Sequence, residues 1–215
     1  MRQATSIILA LTVLSLSSAV DGDVIRSPVA VIRNDLGEGA GSSINSYFDQ
    51  SGLQTPYTSG VTDFDTYNPA AVVNTGNAGA SWFGQEFTPG FTDFDLGQSE
   101  LVTQLVTWTF AQGTDNQTGI IDVLISDDPT FSADSSAGFF TIQDNSDGTQ
   151  TLGQVFDVID TQGRYIRIDH LLSQGGTFRG GSEIAFATAS AVPEPLPASM
   201  IVMLMFGWAW MSRRR

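Results

Sequence analysis

Between residues 20 and 191 the chain has no amphipathic helical stretch of any length; short runs rich in Val, Ile, Phe, Tyr and Thr are separated by Gly, Asp, Asn and Ser. A helix buries one face only when apolar residues recur every three or four positions, so without that period this stretch must build its core from strands. Strand candidates lie at 101–110, 120–126, 139–143, 154–159, 165–169 and 183–188. In Tyr165-Ile166-Arg167-Ile168-Asp169 a period of two puts Ile166 and Ile168 on one face and Arg167 and Asp169 on the other. Asp144-Asn145-Ser146-Asp147-Gly148 reads as a tight hairpin turn, since Asp-Gly supplies positive φ and the spacing fails the helix–loop–helix calcium pattern. Residues 21–97 are loop-rich, and long ordered loops need something to hold them. Strands of this number and spacing predict an all-β, two-sheet jelly-roll sandwich, with no internal repeat.

Both ends stand apart from this body. Arg2, the apolar run Ile7 to Leu16, and the small residues Ser17 and Ala19 have the order of a secretory signal peptide over 1–19. At the other end, 196–211 is almost wholly apolar and runs into Arg213, Arg214 and Arg215. A helix of that length rises about 24 Å, short of a bilayer core of roughly 30 Å, and thinning or arginine snorkelling closes the difference. The positive-inside rule keeps the arginines cytoplasmic and places the body, 20–191, beyond the membrane. The leader predicts the same topology.

Within the body, five arginines (Arg26, Arg33, Arg164, Arg167, Arg179) face 22 of the chain's 23 acids, a charge near −17. That argues against nucleic acid, whose binding draws on clustered Lys and Arg, and suits an acidic or cation-binding surface. With no Lys and no Cys, amine catalysis, thiolate metal sites and a Cys nucleophile are excluded, and the fold rests on its hydrophobic core.

Val192-Pro193-Glu194-Pro195, followed at once by the apolar segment and the terminal arginines, closely resembles the PEP-CTERM sorting signal of Gram-negative bacteria. The resemblance covers 192–215 and implies processing by an exosortase, a membrane-embedded protease, with transient anchoring in the inner membrane and delivery to the cell surface or extracellular matrix. Two prolines would hold the chain extended just outside the bilayer, where such an enzyme could take it as a strand.

In the body, Asp49-Gln50-Ser51-Gly52-Leu53, Trp82-Phe83, Phe94-Asp95-Leu96-Gly97, Gly163-Arg164-Tyr165-Ile166-Arg167-Ile168 and Gly181-Ser182-Glu183-Ile184-Ala185-Phe186 occur in that order. Over 30–188 they resemble the landmarks of discoidin, or coagulation-factor type C, domains, although the stretch 55–67 departs from the usual pattern. This resemblance implies a galactose-binding-like sandwich that binds carbohydrate, with a structural calcium. Matched residue by residue, Asp49 and Glu183 would supply its carboxylates, together with a Thr from 55–58, and oxygen-only ligation suits a hard cation. The alternative is that Asp49 starts a turn and Glu183 is solvated. Tyr57, Tyr67 and Trp82 are candidate ligand-binding aromatics, since sugars stack on ring faces; alternatively Trp82 and Phe83 close one end of the core.

A Ser-His-Asp hydrolase would have to use His170, the only histidine, and no Gly-x-Ser-x-Gly elbow accompanies it. A glycosidase needs two placed carboxylates, and no pair stands out. Asn116-Gln117-Thr118 matches a glycosylation triplet by chance. The expectation is therefore an exported, non-enzymatic module with a polysaccharide ligand; the alternatives are a purely structural acidic matrix protein and, third, a secreted hydrolase.

Overall fold

The computed structural model describes residues 22–76, 79–85, 89–111, 118–133, 135–175 and 179–189. The leader, the Pro-Glu-Pro motif at 192–195 and the apolar segment 196–211 lie outside the described residues. Among the described residues no helix is long and apolar enough to cross a membrane.

The strands, in order, are β1 (Val24–Arg26), β2 (Ala30–Asn34), β3 (Val73–Asn74), β4 (Trp82–Phe83), β5 (Gly90–Trp108), β6 (Thr118–Ser126), β7 (Ser136–Thr141), β8 (Thr151–Leu152), β9 (Gln154–Ser173), β10 (Gly180–Gly181) and β11 (Glu183–Thr188). A short α-helical turn, α1 (Phe64–Tyr67), starts where the Asp63 side chain accepts from the Thr66 N–H and stops at Asn68, whose left-handed backbone cannot extend it. The main sheet has the order β1-β11-β5-β9-β6-β7, with β2 also on β5, and every pair is antiparallel.

This sheet folds over on itself along β5 and β9. Their ladder breaks between Asp95 and Glu100. Gly97 supplies the positive φ of +87° that the corner requires, and its N–H is held by Asp95 Oδ1 at 2.7 Å. Before the break, β5 pairs with β2 and with Tyr165 to His170 of β9; beyond it, β5 pairs with residues 154–163 of β9 and with β11. One layer is thus β2-β5-β9-β6-β7 and the other β1-β11-β5-β9. The core between them is fully buried and joins Phe94, Ile121, Ile166 and Ile168 of the first layer to Val102, Leu105, Ile184 and Phe186 of the second.

The second layer is covered on its outer face too. Val106, Trp108, Ala185 and Ala187 pack with Ile25 under Tyr57, Phe64 and Val72 from the loop-rich half, which explains why all six residues of β11 are buried. Glu183 has the same parity as Ala185 and Ala187 and therefore faces the loops.

The sheet-rich architecture agrees with the sequence, but its connectivity is tighter than two separate sheets: the candidate strands 154–159 and 165–169 are one continuous β9, and β5 begins at Gly90 rather than at 101. A strand that crosses from one layer to the other carries two local patterns with a corner between them, which reads as two strands. The 144–148 turn does bend, with Gly148 at φ +89° and Asp147 Oδ1 accepting from Thr149 and Gln150 N–H. It leads into β8, which pairs with β3 rather than returning onto β7, so it is not a tight hairpin.

Candidate functional site

The corner of β5 lies at one end of the sandwich, so its first and last residues return together to the other end, where the loops converge. There the Gly39 N–H donates to Phe83 O (2.8 Å), Gly84 N–H to Arg179 O (2.7 Å) and Gln85 N–H to Leu36 O (2.7 Å). A Cβ at Gly39 would lie 2.0 Å from the Phe83 ring, so only glycine lets this loop rest on it. Phe83 is half-buried and meets Phe110 edge-on at 6.3 Å.

The loop carrying Asp49 folds over the start of β11 at this end. Gln50, at φ +66°, turns the chain so that its N–H donates to Glu183 Oε2 at 2.8 Å. Its side-chain carbonyl accepts from Tyr57 N–H at 2.8 Å. Backbone bonds from Gln54 to Val73 and from Thr75 to Gly52 tie the same loop to β3. Glu183 is 0% exposed and its other carboxylate oxygen has no hydrogen-bond partner. Burial pushes its carboxyl well above the usual range; the Gln50 N–H opposes this and the charge of Asp49 adds to it. Asp49 itself is exposed and accepts from Ser51 N–H at 2.9 Å in a local turn. Asp49 starts a turn, as the alternative to a calcium ligand has it, but Glu183 is buried rather than solvated. Among the described residues no three His, Cys, Asp or Glu side chains converge as a metal cluster; any cation here would draw its remaining ligands from carbonyls and hydroxyls.

The candidate aromatics do not form an open platform. Trp82 is 0% exposed, donates its indole N–H to Gly37 O at 3.0 Å, and packs against Tyr47 at 5.4 Å; it belongs to the core and cannot face a ligand. The pair Trp82-Phe83 begins a two-residue strand, whose alternation sends the first ring inward and the second toward the loops. Tyr57 is buried and shares a 2.5 Å hydrogen bond with Ser27 Oγ. Tyr67, half-buried, meets Tyr57 edge-on at 5.4 Å and donates to Thr55 O. Both tyrosines cover the outer core of the second layer. Phe83, half-buried, is the ring at the loop end.

His170 is fully buried beside Trp82, at 5.5 Å, with Nδ1 2.9 Å from Thr118 Oγ1 and Nε2 3.4 Å from Thr92 Oγ1. Burial, helped by the Arg179 charge, lowers its pKa to about 3. Both ring nitrogens face threonine hydroxyls, and among the described residues no carboxylate orients the ring and no serine bonds to it. The nucleophilic arrangement that a triad needs is not made.

No protein-family model matches the sequence, and no curated protein matches it as a relative. Solved structures do. The family 32 carbohydrate-binding module of C. perfringens NanJ, in complex with galactose, is 11% identical with a TM-score of 0.50, covering 77% of this chain and 98% of that one. Truncated AlyQ, with CBM32 and alginate lyase domains, is 16% identical with a TM-score of 0.53, covering 81% of this chain and 36% of that one. At these identities the likeness is one of fold. The body is a β-sandwich with the fold of these carbohydrate-binding modules.

Proposed function

We propose that this chain is an exported bacterial protein whose β-sandwich is a non-catalytic carbohydrate-binding or adhesion module. The observation that carries the binding half is the convergence of loops 36–39, 83–85 and 179–181 around the half-buried Phe83 at one end of a CBM32-like fold. The NanJ module was solved with galactose and AlyQ joins its CBM32 to alginate lyase domains, which makes galactosides and uronate polymers the first ligands to try. On a glycan array the full chain should be retained by at least one such glycan, and Phe83→Ala should lose that retention while its circular dichroism shows it still folded. Retention by nothing on the array would leave the purely structural matrix protein.

Export rests on the sequence of the two ends: Sec delivery by 1–19, transient anchoring in the inner membrane by 196–211, and exosortase cleavage near Val192-Pro193-Glu194-Pro195, with the cell surface or extracellular matrix as the final site. Mass measurement of the protein recovered outside the cell should give a chain lacking both segments; an intact C-terminus would remove the exosortase step.

A structural calcium at Asp49 and Glu183 is part of the same proposal. It is supported by a buried carboxyl with one unpartnered oxygen close enough to Asp49 to feel its charge, a pair whose ionised forms a hard cation between them would stabilise. Glu183 and Asp49 would hold it, with loop oxygens completing the shell.

A further inference from the structure

At the corner end of the sandwich, opposite the converging loops, a cleft of about 580 Å³ opens between β1, the β5 corner, β9 and the end of β11. That is within the size range of small-ligand sites. Its polar wall consists of Arg26, Gln98, Ser99, Glu100, Gln162 and Thr188.

The wall is built rather than incidental. Glu100 has a side chain only 7% exposed and Arg26 one 20% exposed. Arg26 grips the carboxylate with two donors, Nε to Oε2 at 2.8 Å and Nη2 to Oε1. The Gln98 amide donates to the same Oε1 at 2.6 Å, and Gln162 donates to Ser99 Oγ at 2.9 Å. Gly60, at φ +73°, makes room behind the guanidinium: a Cβ there would come within 2.2 Å of Nη1. Among the described residues no hydrogen bond reaches that Nη1, and the buried Thr188 hydroxyl has no partner at all.

The chemistry of this set selects its ligand. Arg26 and Glu100 cancel in charge, so neither an anion nor a cation is favoured. What remains is a fixed guanidinium donor, carboxylate lone pairs, amide groups and an unsatisfied hydroxyl, the donor and acceptor mixture that adjacent hydroxyls of a sugar ring can satisfy together. We propose that this cleft is a second saccharide site, taking a neutral sugar through a vicinal diol, and that the domain is therefore two-ended.

The test is a titration of the isotope-labelled full-length chain in mild detergent with the methyl glycosides of galactose, glucose and mannose, followed by amide chemical shifts. Shifts at 98–101, 162 and 188–189 with at least one of the sugars are expected. The paired substitutions Gln98→Ala and Gln162→Ala, at exposed positions that leave the core intact, should weaken that binding at least about fivefold, the loss of roughly one hydrogen bond. Silence of these amides with all three sugars overturns the proposal, as do shifts that survive the double variant unchanged. Shifts confined to 36–39 and 83–85 would remove this site while leaving the loop-end reading in place; shifts confined to the cleft would do the reverse.

Discussion

Glu183 makes the protein's stability depend on pH in a direction opposite to that of most acidic proteins. Its carboxyl is fully buried with a raised pKa, so the folded state binds a proton that the unfolded state has released. The stabilisation is complete below the unfolded value of 4.5 and is lost as pH rises through the raised folded value. His170 acts the other way: its folded pKa of about 3 against an ordinary 6.5 removes stability as pH falls below 6.5. His170 is present in both the wild type and a Glu183→Gln variant, so the difference between the two isolates the carboxyl at every pH above 4.5. One fully linked group changes stability by at most about 1.4 kcal/mol per pH unit, and each kcal/mol moves the midpoint of a domain this size by about 2–4 °C. In chelator, the wild-type melting temperature should therefore fall, relative to Glu183→Gln, by up to about 3–6 °C per pH unit as pH rises from 4.5 through the raised folded value. Glu183→Gln should remove that slope; the half-buried Asp169, also raised chiefly by burial, contributes equally to both proteins and cancels in the difference. Calcium at about a hundred times its Kd should restore about 2.7 kcal/mol, roughly 5–10 °C, to the wild type and nothing to the variant. Equal slopes for the two proteins in chelator would refute the linkage, and equal calcium responses would refute the site.

Trp82→Ala should cost about 3–5 kcal/mol by emptying the centre of the core, seen as a large fall in denaturation midpoint, whereas Phe83→Ala should cost far less. Asp93 is fully buried between Arg167, which grips it at 2.7 and 2.9 Å, and Arg33. Asp93→Ala should cost about 3–5 kcal/mol by leaving a desolvated guanidinium unpaired, but Arg33→Gln, at a half-exposed pair, under about 1 kcal/mol; urea titration separates the two. The His170 ring signals should stay fixed from about pH 5 to 8 in proton spectra, where an ordinary histidine titrates; movement in that range would contradict its burial.

Ile166 and Ile168 point into the core and Arg167 away from it, as the alternation in β9 requires, because a period of two is a local property. The corner at Gly97 could not be read, since a strand crossing between layers keeps its pattern on either side and only the partners change. The discoidin-like landmark order led to Glu183 as a distinctive residue, but its burial depends on a loop more than a hundred residues upstream. Trp82 and Phe83 show the limit most plainly: adjacent aromatics on a short strand face opposite ways, and nothing local says which is inward. Arg26 and Glu100, 74 residues apart, carry no motif; their cleft exists only because β1 and the β5 corner meet.

The proposed role of the body is to bind polysaccharide without cutting it. The most direct measurement incubates the full chain, with calcium, with galactans, alginate and other matrix polysaccharides, and reads both retention in affinity gels and reducing ends in solution. Retardation by at least one polymer with no rise in reducing ends is expected. Reducing ends that grow with time would contradict it in favour of an enzyme, and free migration through every gel would contradict it in favour of a structural matrix protein.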